Sequence, residues 1–191
     1  FSYGSRIVVP GTGIILNNEM DDFSAKPGVP NAYGLIGGRH NAIEPGKRML
    51  SSMTPTLLFK DDGTLVATGS PGGSRIINIV LQVVCNLADH GMNVATATHA
   101  PRFHHQWLPD QLGIERGLSP DTIRLLTTRG HEVRVTSSIG STQTVMLGKG
   151  VFYGASDPRR GGALTLGLPA RKPDTPSKDE TRPGSGPELP E

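Results

Sequence analysis

The chain has 191 residues, 35% of them hydrophobic and 19% charged, enough apolar content for one or two packed domains and too much for a wholly disordered polymer. Lys and Arg number 19 against 17 Asp and Glu, for a net charge of +2, which leaves no clustered cationic face and excludes a nucleic-acid binder of the usual electrostatic kind. No apolar run reaches the about 18 residues that a bilayer-crossing helix needs, the longest being the interrupted stretch from Ile76 to Val84.

The single cysteine, Cys85, excludes an internal disulfide and a cysteine-based metal site. Set among Leu81, Val83, Val84 and Leu87, it reads as a packing residue. The sequence opens at Phe1 without the charged-then-apolar pattern of a signal peptide, so it is expected to be a processed product or a piece of something longer.

In chain order, Gly13 to Leu16 predicts a strand that runs into the polar cluster Asn17 to Asp22. There Glu19, Asp21 and Asp22 fit two readings, an ammonium-holding group or a solvated loop. Between Ser24 and Met49 the chain carries Pro27, Pro30, Pro45 and five glycines, which predicts a long loop without regular structure; loops of this length are usually functional or mobile. Ser51 and Ser52 either present paired hydroxyls to a small carboxylate or form a polar turn. Thr56 to Lys60 and Thr64 to Thr68, joined by Asp61-Asp62-Gly63, predict a β-hairpin.

The segment Gly69 to Arg75 follows that hairpin and opens a helix. Its amides sit beside the positive end of the helix dipole and make an anion or oxyanion site, although a tight turn needing two glycines for backbone reasons fits as well. It has neither the lysine of a phosphate loop nor the glycine spacing of a dinucleotide site. Ser74 to His90 is apolar around most of its circumference, which predicts a central helix buried on more than one side. Asn93 to His99 predicts a shorter helix, ended by Ala100-Pro101. The adjacent His104 and His105 would point to opposite faces of a strand, which argues against a shared metal. Ser119-Pro120-Asp121 starts a third helix that runs to about Arg129 and stops at Gly130. Glu132 to Thr136, Thr142 to Leu147 and Val151 to Gly154 predict strands, and the Pro-rich, charged segment 168–191 predicts a disordered tail. The fold class is therefore mixed α and β over residues 1–167.

The runs Leu16 to Ser24, Lys26 to Asn31, Lys47 to Ser52, Gly69 to Arg75, Ala100 to Leu108 and Tyr153 to Pro158 closely resemble the small subunit of γ-glutamyltransferases, also called glutathione hydrolases. The resemblance extends from about Gly4 to Gly167. It implies an N-terminal-nucleophile hydrolase: an αββα sandwich, incomplete here because the first strand and the large subunit are missing, made by autocatalytic cleavage of a precursor into two subunits. A threonine at the new N-terminus attacks the γ-glutamyl amide of glutathione or its conjugates, with its own α-amine as base, and the acyl-enzyme passes the glutamyl group to water or to an amino acid or peptide.

Carried over by motif, the resemblance gives Gly72 and Gly73 the oxyanion-stabilising N–H groups, Ser51 and Ser52 the glutamyl α-carboxylate, and Asp22, helped by Glu19, the α-ammonium. Tyr33, in the loop from Pro27 to Gly38, corresponds to a lid residue that covers the site. The resemblance implies no metal and no organic cofactor, γ-glutamyl substrates such as glutathione, a large-subunit partner from the same precursor, and a periplasmic or secreted location. The nucleophilic threonine is absent from the 191 residues, as is the large-subunit arginine that meets the glutamyl carboxylate, and no threonine present stands at the required position. By itself the chain is expected to be inactive, and poorly stable or self-associating through an open edge and an uncovered sheet face. The alternatives are a non-catalytic relic or binding module, and a related β-lactam side-chain acylase.

Overall fold

The structure, a computed structural model, describes residues 4–168; the expected tail lies, apart from Leu168, outside the described residues. Asp62 and Gly63 turn the chain where their chemistry predicts. The Asp62 side chain accepts from the Thr64 amide at 2.9 Å, and Gly63 takes a positive φ of 81°, a conformation that glycine adopts without a Cβ clash. Strands β1 (Thr56–Phe59) and β2 (Leu65–Gly69) pair antiparallel on either side. Strands β6 (Gln143–Gly148) and β7 (Val151–Ser156) extend this into an antiparallel sheet of order β1-β2-β6-β7. A second sheet has the order β3-β4-β5, from Phe103–His104, Leu112–Glu115 and Val133–Thr136. Its β4 and β5 run parallel, and helix α3 (Pro120–Thr128) supplies the crossover that a parallel pair requires.

Side chains alternate across the larger sheet, so its two faces differ. On one face Val66 packs with Val83 and Leu87 of α1 (Ile76–Ala88) and with Val94 and Ala97 of α2 (Val94–His99), and Leu58, Met92, Met146 and Ala155 close the edges of this core. On the other, Leu57, Phe59, Val145 and Phe152 are exposed. Register places Phe59, Leu65, Leu147 and Phe152 in one row across the four strands, so the sheet is packed on one face and bare on the other, as half of a sandwich would be. Helix α2 is capped by Asn93, whose side chain accepts from the Thr96 amide at 2.9 Å.

The predicted strand from Gly13 to Leu16 is corrected. Ile15 makes only an isolated bridge to Val8, within a turn whose Gly11 and Gly13 both have positive φ, and Ile14, Ile15 and Leu16 are exposed. They have the apolar content of a strand but, among the described residues, no sheet neighbour. The burial of α1 is also corrected: Ile76, Ile79, Val80, Val83 and Leu87 are buried, whereas Ile77 and Leu81 are exposed because that side of the helix faces away from the sheet. Cys85 is only half-buried; its hydrogen bond with Asp89, and then burial, push the thiol pKa up. Strands β3 and β4 were not expected. One has two residues and the other, Leu-Gly-Ile-Glu, is buried at Leu112, Ile114 and Glu115 and so lacks the alternation of a half-exposed strand.

Four buried charges tie the two sheets together. Arg102, 2% exposed, donates from Nη2 to Thr98 O, Thr142 Oγ1 and Asp157 Oδ2 at 2.9, 2.9 and 2.8 Å, and from Nη1 to Ile139 O at 3.0 Å. Arg159 donates to Glu115 Oε2 at 2.6 Å and to Asp157 Oδ1 at 3.1 Å. Burial disfavours the Asp157 carboxylate, but the Arg159 and Thr142 amides and the Arg102 guanidinium outweigh it and hold the pKa at about 2. Two cations against two carboxylates leave the cluster neutral, which is how charges survive at such burial.

Candidate active site

The acidic cluster folds as a single 3-10 turn, Glu19–Asp22, anchored by the buried Phe23 that follows it. Asn41 fixes this turn to the serine segment: its Nδ2 donates to Asp22 O at 2.7 Å and its Oδ1 accepts from the Leu50 amide at 2.9 Å. The result is a cavity of about 330 Å³ whose wall includes Asp22, Asn41, Ser52, Tyr33 and Ser74. Burial first, then the charges of Glu19 and Asp21, raise the Asp22 pKa above the ordinary carboxylate value. A cation placed beside Asp22 relieves both effects, so this end of the cavity favours an ammonium.

Not every expected residue reaches that wall. Glu19 stands outside it and acts on Asp22 through charge. Ser51 is exposed, and its Oγ accepts from the Met53 amide at 3.2 Å. Of the serine pair, only Ser52 lines the cavity.

Tyr33 sits in a tight turn made by Asn31, whose side chain accepts from the amides of Tyr33 and Leu35 at 2.9 and 3.0 Å. The ring lies over the glycine turn. Gly73 has φ +58°, and a Cβ added there would meet Tyr33 ring carbons at 2.7 and 2.9 Å. Gly72, at φ +152°, lines a second and larger cavity of about 610 Å³, and the 3-10 turn Gly73–Arg75 leads into α1. Tyr33 and Ser74 belong to the walls of both cavities, so the glycine turn lies where the two adjoin.

Gln106 locks this junction. Its Nε2 donates to Tyr33 O at 2.8 Å, and its Oε1 accepts from Ser74 Oγ at 3.1 Å and lies 2.9 Å from His104 Nε2. One amide thus connects the tyrosine turn, the start of the helix and β3. His105 instead pairs with Asp110 at 2.9 Å, so the two histidines serve separate partners. Neither Gln106 nor Asn41 carries a charge or a periodic pattern, and sequence reasoning missed both as positioning residues.

The Gamma-glutamyltranspeptidase family profile matches residues 1–166. The glutathione hydrolase proenzyme of Escherichia coli (strain K12) is 60% identical over 87% of this chain, and the match covers 29% of that protein; the chain thus spans under a third of the relative's length. The T380A mutant of Helicobacter pylori gamma-glutamyltranspeptidase superposes with a TM-score of 0.77 at 51% identity, over 83% of this chain and 88% of that one. A cephalosporin acylase from Bacillus halodurans is more distant, with a TM-score of 0.66 at 31% identity over 82% of this chain and 28% of that one. The mixed α and β fold is accordingly part of the N-terminal-nucleophile hydrolase sandwich.

Proposed function

The chain belongs to the gamma-glutamyltranspeptidase family, and from that premise we propose that it forms the glutamyl-recognising part of an enzyme that cleaves γ-glutamyl amides such as glutathione. The reading is carried by one observation: Asp22, Ser52 and Tyr33 share the wall of the smaller cavity, and the Tyr33 ring lies against Gly73 of the glycine turn that opens onto the larger one.

In this proposal the substrate's α-ammonium binds the Asp22 carboxylate, with Glu19 adding negative potential, and its α-carboxylate accepts from Ser52, with Ser51 as a further hydroxyl. The γ-carbonyl oxygen then lies at the glycine turn. Attack by a threonine hydroxyl, supplied from outside these 191 residues, pushes negative charge onto that oxygen, and the Gly72 and Gly73 amides stabilise it. The amide C–N bond breaks, the amine leaves with a proton, and the ester that remains is resolved by water or by an acceptor amine. Tyr33 covers the glycine turn and limits which acceptor enters.

The row Phe59, Leu147 and Phe152, exposed at its two phenylalanines, with the exposed neighbours Leu57 and Val145, is the face proposed to dock the remainder of the precursor, the large subunit. Buried apolar surface of that extent is a strong driving force for association. Autocatalytic maturation and a periplasmic or secreted location belong to the same proposal, by family resemblance.

The experiment is turnover of a chromogenic γ-glutamyl anilide by the full-length protein that carries this sequence, with and without glycylglycine. The expected result is release of the anilide and, with the dipeptide present, formation of γ-glutamyl-glycylglycine. Absence of both products from processed, folded protein contradicts the reading.

A further inference from the structure

The two amides assigned to the oxyanion belong to two peptide planes, and each plane is held differently. A trans peptide is rigid, with its carbonyl oxygen and its amide hydrogen pointing in opposite directions, so whatever fixes one fixes the other. The Gly73 N–H shares a plane with the Gly72 carbonyl, which accepts from the Arg75 amide at 3.2 Å inside the turn that leads into α1. The Gly72 N–H shares a plane with the Pro71 carbonyl, which lies ahead of that turn. There the hydrogen bond comes from a side chain: Ser70 Oγ donates to Pro71 O at 2.8 Å. Gly72, at φ +152°, has no Cβ to restrict rotation of this plane, so the serine hydroxyl supplies a hold that the glycine itself lacks.

The hydroxyl is in turn aimed. It has one proton to give and two lone pairs, and the Ser141 amide donates to Ser70 Oγ at 3.1 Å, which leaves the proton for Pro71. Residues 139–142, which carry that amide, are clamped on both sides by the buried charges. Arg102 Nη1 donates to Ile139 O at 3.0 Å, the Ile139 amide donates to Glu115 Oε1, and the Thr142 amide donates to Asp157 Oδ2 at 2.7 Å. Between these anchors Gly140, at φ +70°, packs so closely that an added Cβ would collide with Ile79 Cδ1 and lie 2.7 Å from Ser70 Oγ and 3.1 Å from Pro71 O. The same Ile79 methyl would lie 3.1 Å from a Cβ at Gly72, so loop, serine and glycine turn pack together on one fully buried isoleucine.

We propose that Ser70 is a positioning residue for the reaction: its hydroxyl, aimed by the Ser141 amide, holds the Pro71–Gly72 peptide so that the Gly72 N–H faces the developing oxyanion. This rests on the γ-glutamyl reading above and deepens it. No bond forms or breaks at Ser70; the hydroxyl keeps a donor oriented before charge develops, which is where preorganisation acts. Through residues 139–142 the four-charge cluster is continuous with the oxyanion turn.

The test uses the full-length, processed protein and three readouts. The first is kcat/KM for a γ-glutamyl anilide. The second is the inhibition constant of L-norvaline, which has the α-amino and α-carboxylate groups of the substrate and no γ-carboxyl. The third is the inhibition constant of a glutamate analogue with a boronic acid in place of the γ-carboxyl, whose tetrahedral adduct with the nucleophile puts an oxygen at the glycine turn. Ser70→Ala is expected to lower kcat/KM roughly tenfold, the scale of one hydrogen bond and short of the outright loss of a donor. It should weaken the boronate by a similar factor and leave L-norvaline within about twofold. Ser70→Thr, which keeps the hydroxyl, should recover most of both losses. A partly misfolded preparation would lower the rate and keep both inhibition constants, and a damaged pocket would weaken both inhibitors; either result overturns the assignment. Should Ser70→Ala stay uncleaved, Ser70→Cys, a weaker donor of similar size, takes its place, with the boronate expected to weaken about threefold and an unchanged boronate overturning the assignment. Wild-type rate and boronate affinity in Ser70→Ala overturn it and leave the γ-glutamyl reading standing. Complete absence of γ-glutamyl release by the wild type overturns both.

Discussion

Replacing Gly73 with alanine in the full-length protein is expected to lower kcat for γ-glutamyl release by roughly two to three orders of magnitude, the scale on which losing an oxyanion donor acts. Two effects combine. The left-handed backbone at φ +58° disfavours any side chain by about 1 kcal/mol, and the new methyl would lie 2.7 Å from the Tyr33 ring, so either the tyrosine turn lifts or the glycine turn rotates its amides. Gly91 supplies the control. It has φ +62° with nothing within 4 Å of an added Cβ, so Gly91→Ala carries the same backbone strain without the collision and should cost stability of about 1 kcal/mol with turnover intact. A Gly73→Ala enzyme within threefold of the wild type removes the glycine turn from the chemistry.

The second large effect is on stability. Asp157→Asn leaves Arg102 and Arg159 buried against one carboxylate instead of two, and breaking a buried pair in this way costs about 3–5 kcal/mol. The urea midpoint of the full-length protein should fall accordingly. Asp157 also sets a pH dependence. Its folded pKa of about 2 lies below the ordinary 3.8, so its contribution is fully present above pH 3.8 and is lost as pH falls toward 2. At about 1.4 kcal/mol per pKa unit that contribution is about 2 kcal/mol. Acid unfolding between pH 4 and 2 should therefore flatten in Asp157→Asn; a variant that keeps the wild-type midpoint and acid limb contradicts this account of the network.

Local chemistry was legible in the sequence where one or two residues decide the outcome. Asp62-Gly63 marked the hairpin, Asn93 and Pro101 the ends of α2, and Ser119-Pro120 the start of α3. What could not be read depends on which surfaces meet. The run of apolar side chains in α1 does not reveal that Ile77 and Leu81 lie away from the sheet, and β4 lacks alternation because both its faces are buried. Within the candidate site, Asp22, Ser52, Tyr33, Gly72 and Gly73 were identified by motif. The parts that hold them together, Asn41 across to Asp22 and Leu50, and Gln106 between Tyr33 and Ser74, are neutral amides whose partners lie up to 73 residues away. The four-charge cluster was equally invisible, since Arg102, Glu115, Asp157 and Arg159 have no common spacing and meet only when β4, α2 and the end of β7 pack.

The central claim is that this chain recognises the amino-acid head of a γ-glutamyl group through Asp22. The measurement that tests it most directly compares kcat/KM for γ-glutamyl- and glutaryl-anilide, which differ only in the α-amino group, in the full-length wild type and in Asp22→Asn. The account predicts a wild-type preference for the glutamyl compound of roughly ten- to a hundredfold, the scale of a charge-assisted hydrogen bond at the α-ammonium. It also predicts a decline of that preference as pH falls through the raised pKa of Asp22, and its loss by at least tenfold in Asp22→Asn with the glutaryl rate little changed. Equal use of the two anilides by the wild type, or a preference that survives in Asp22→Asn, would contradict it and favour an acylase that has no amino-acid head-group site.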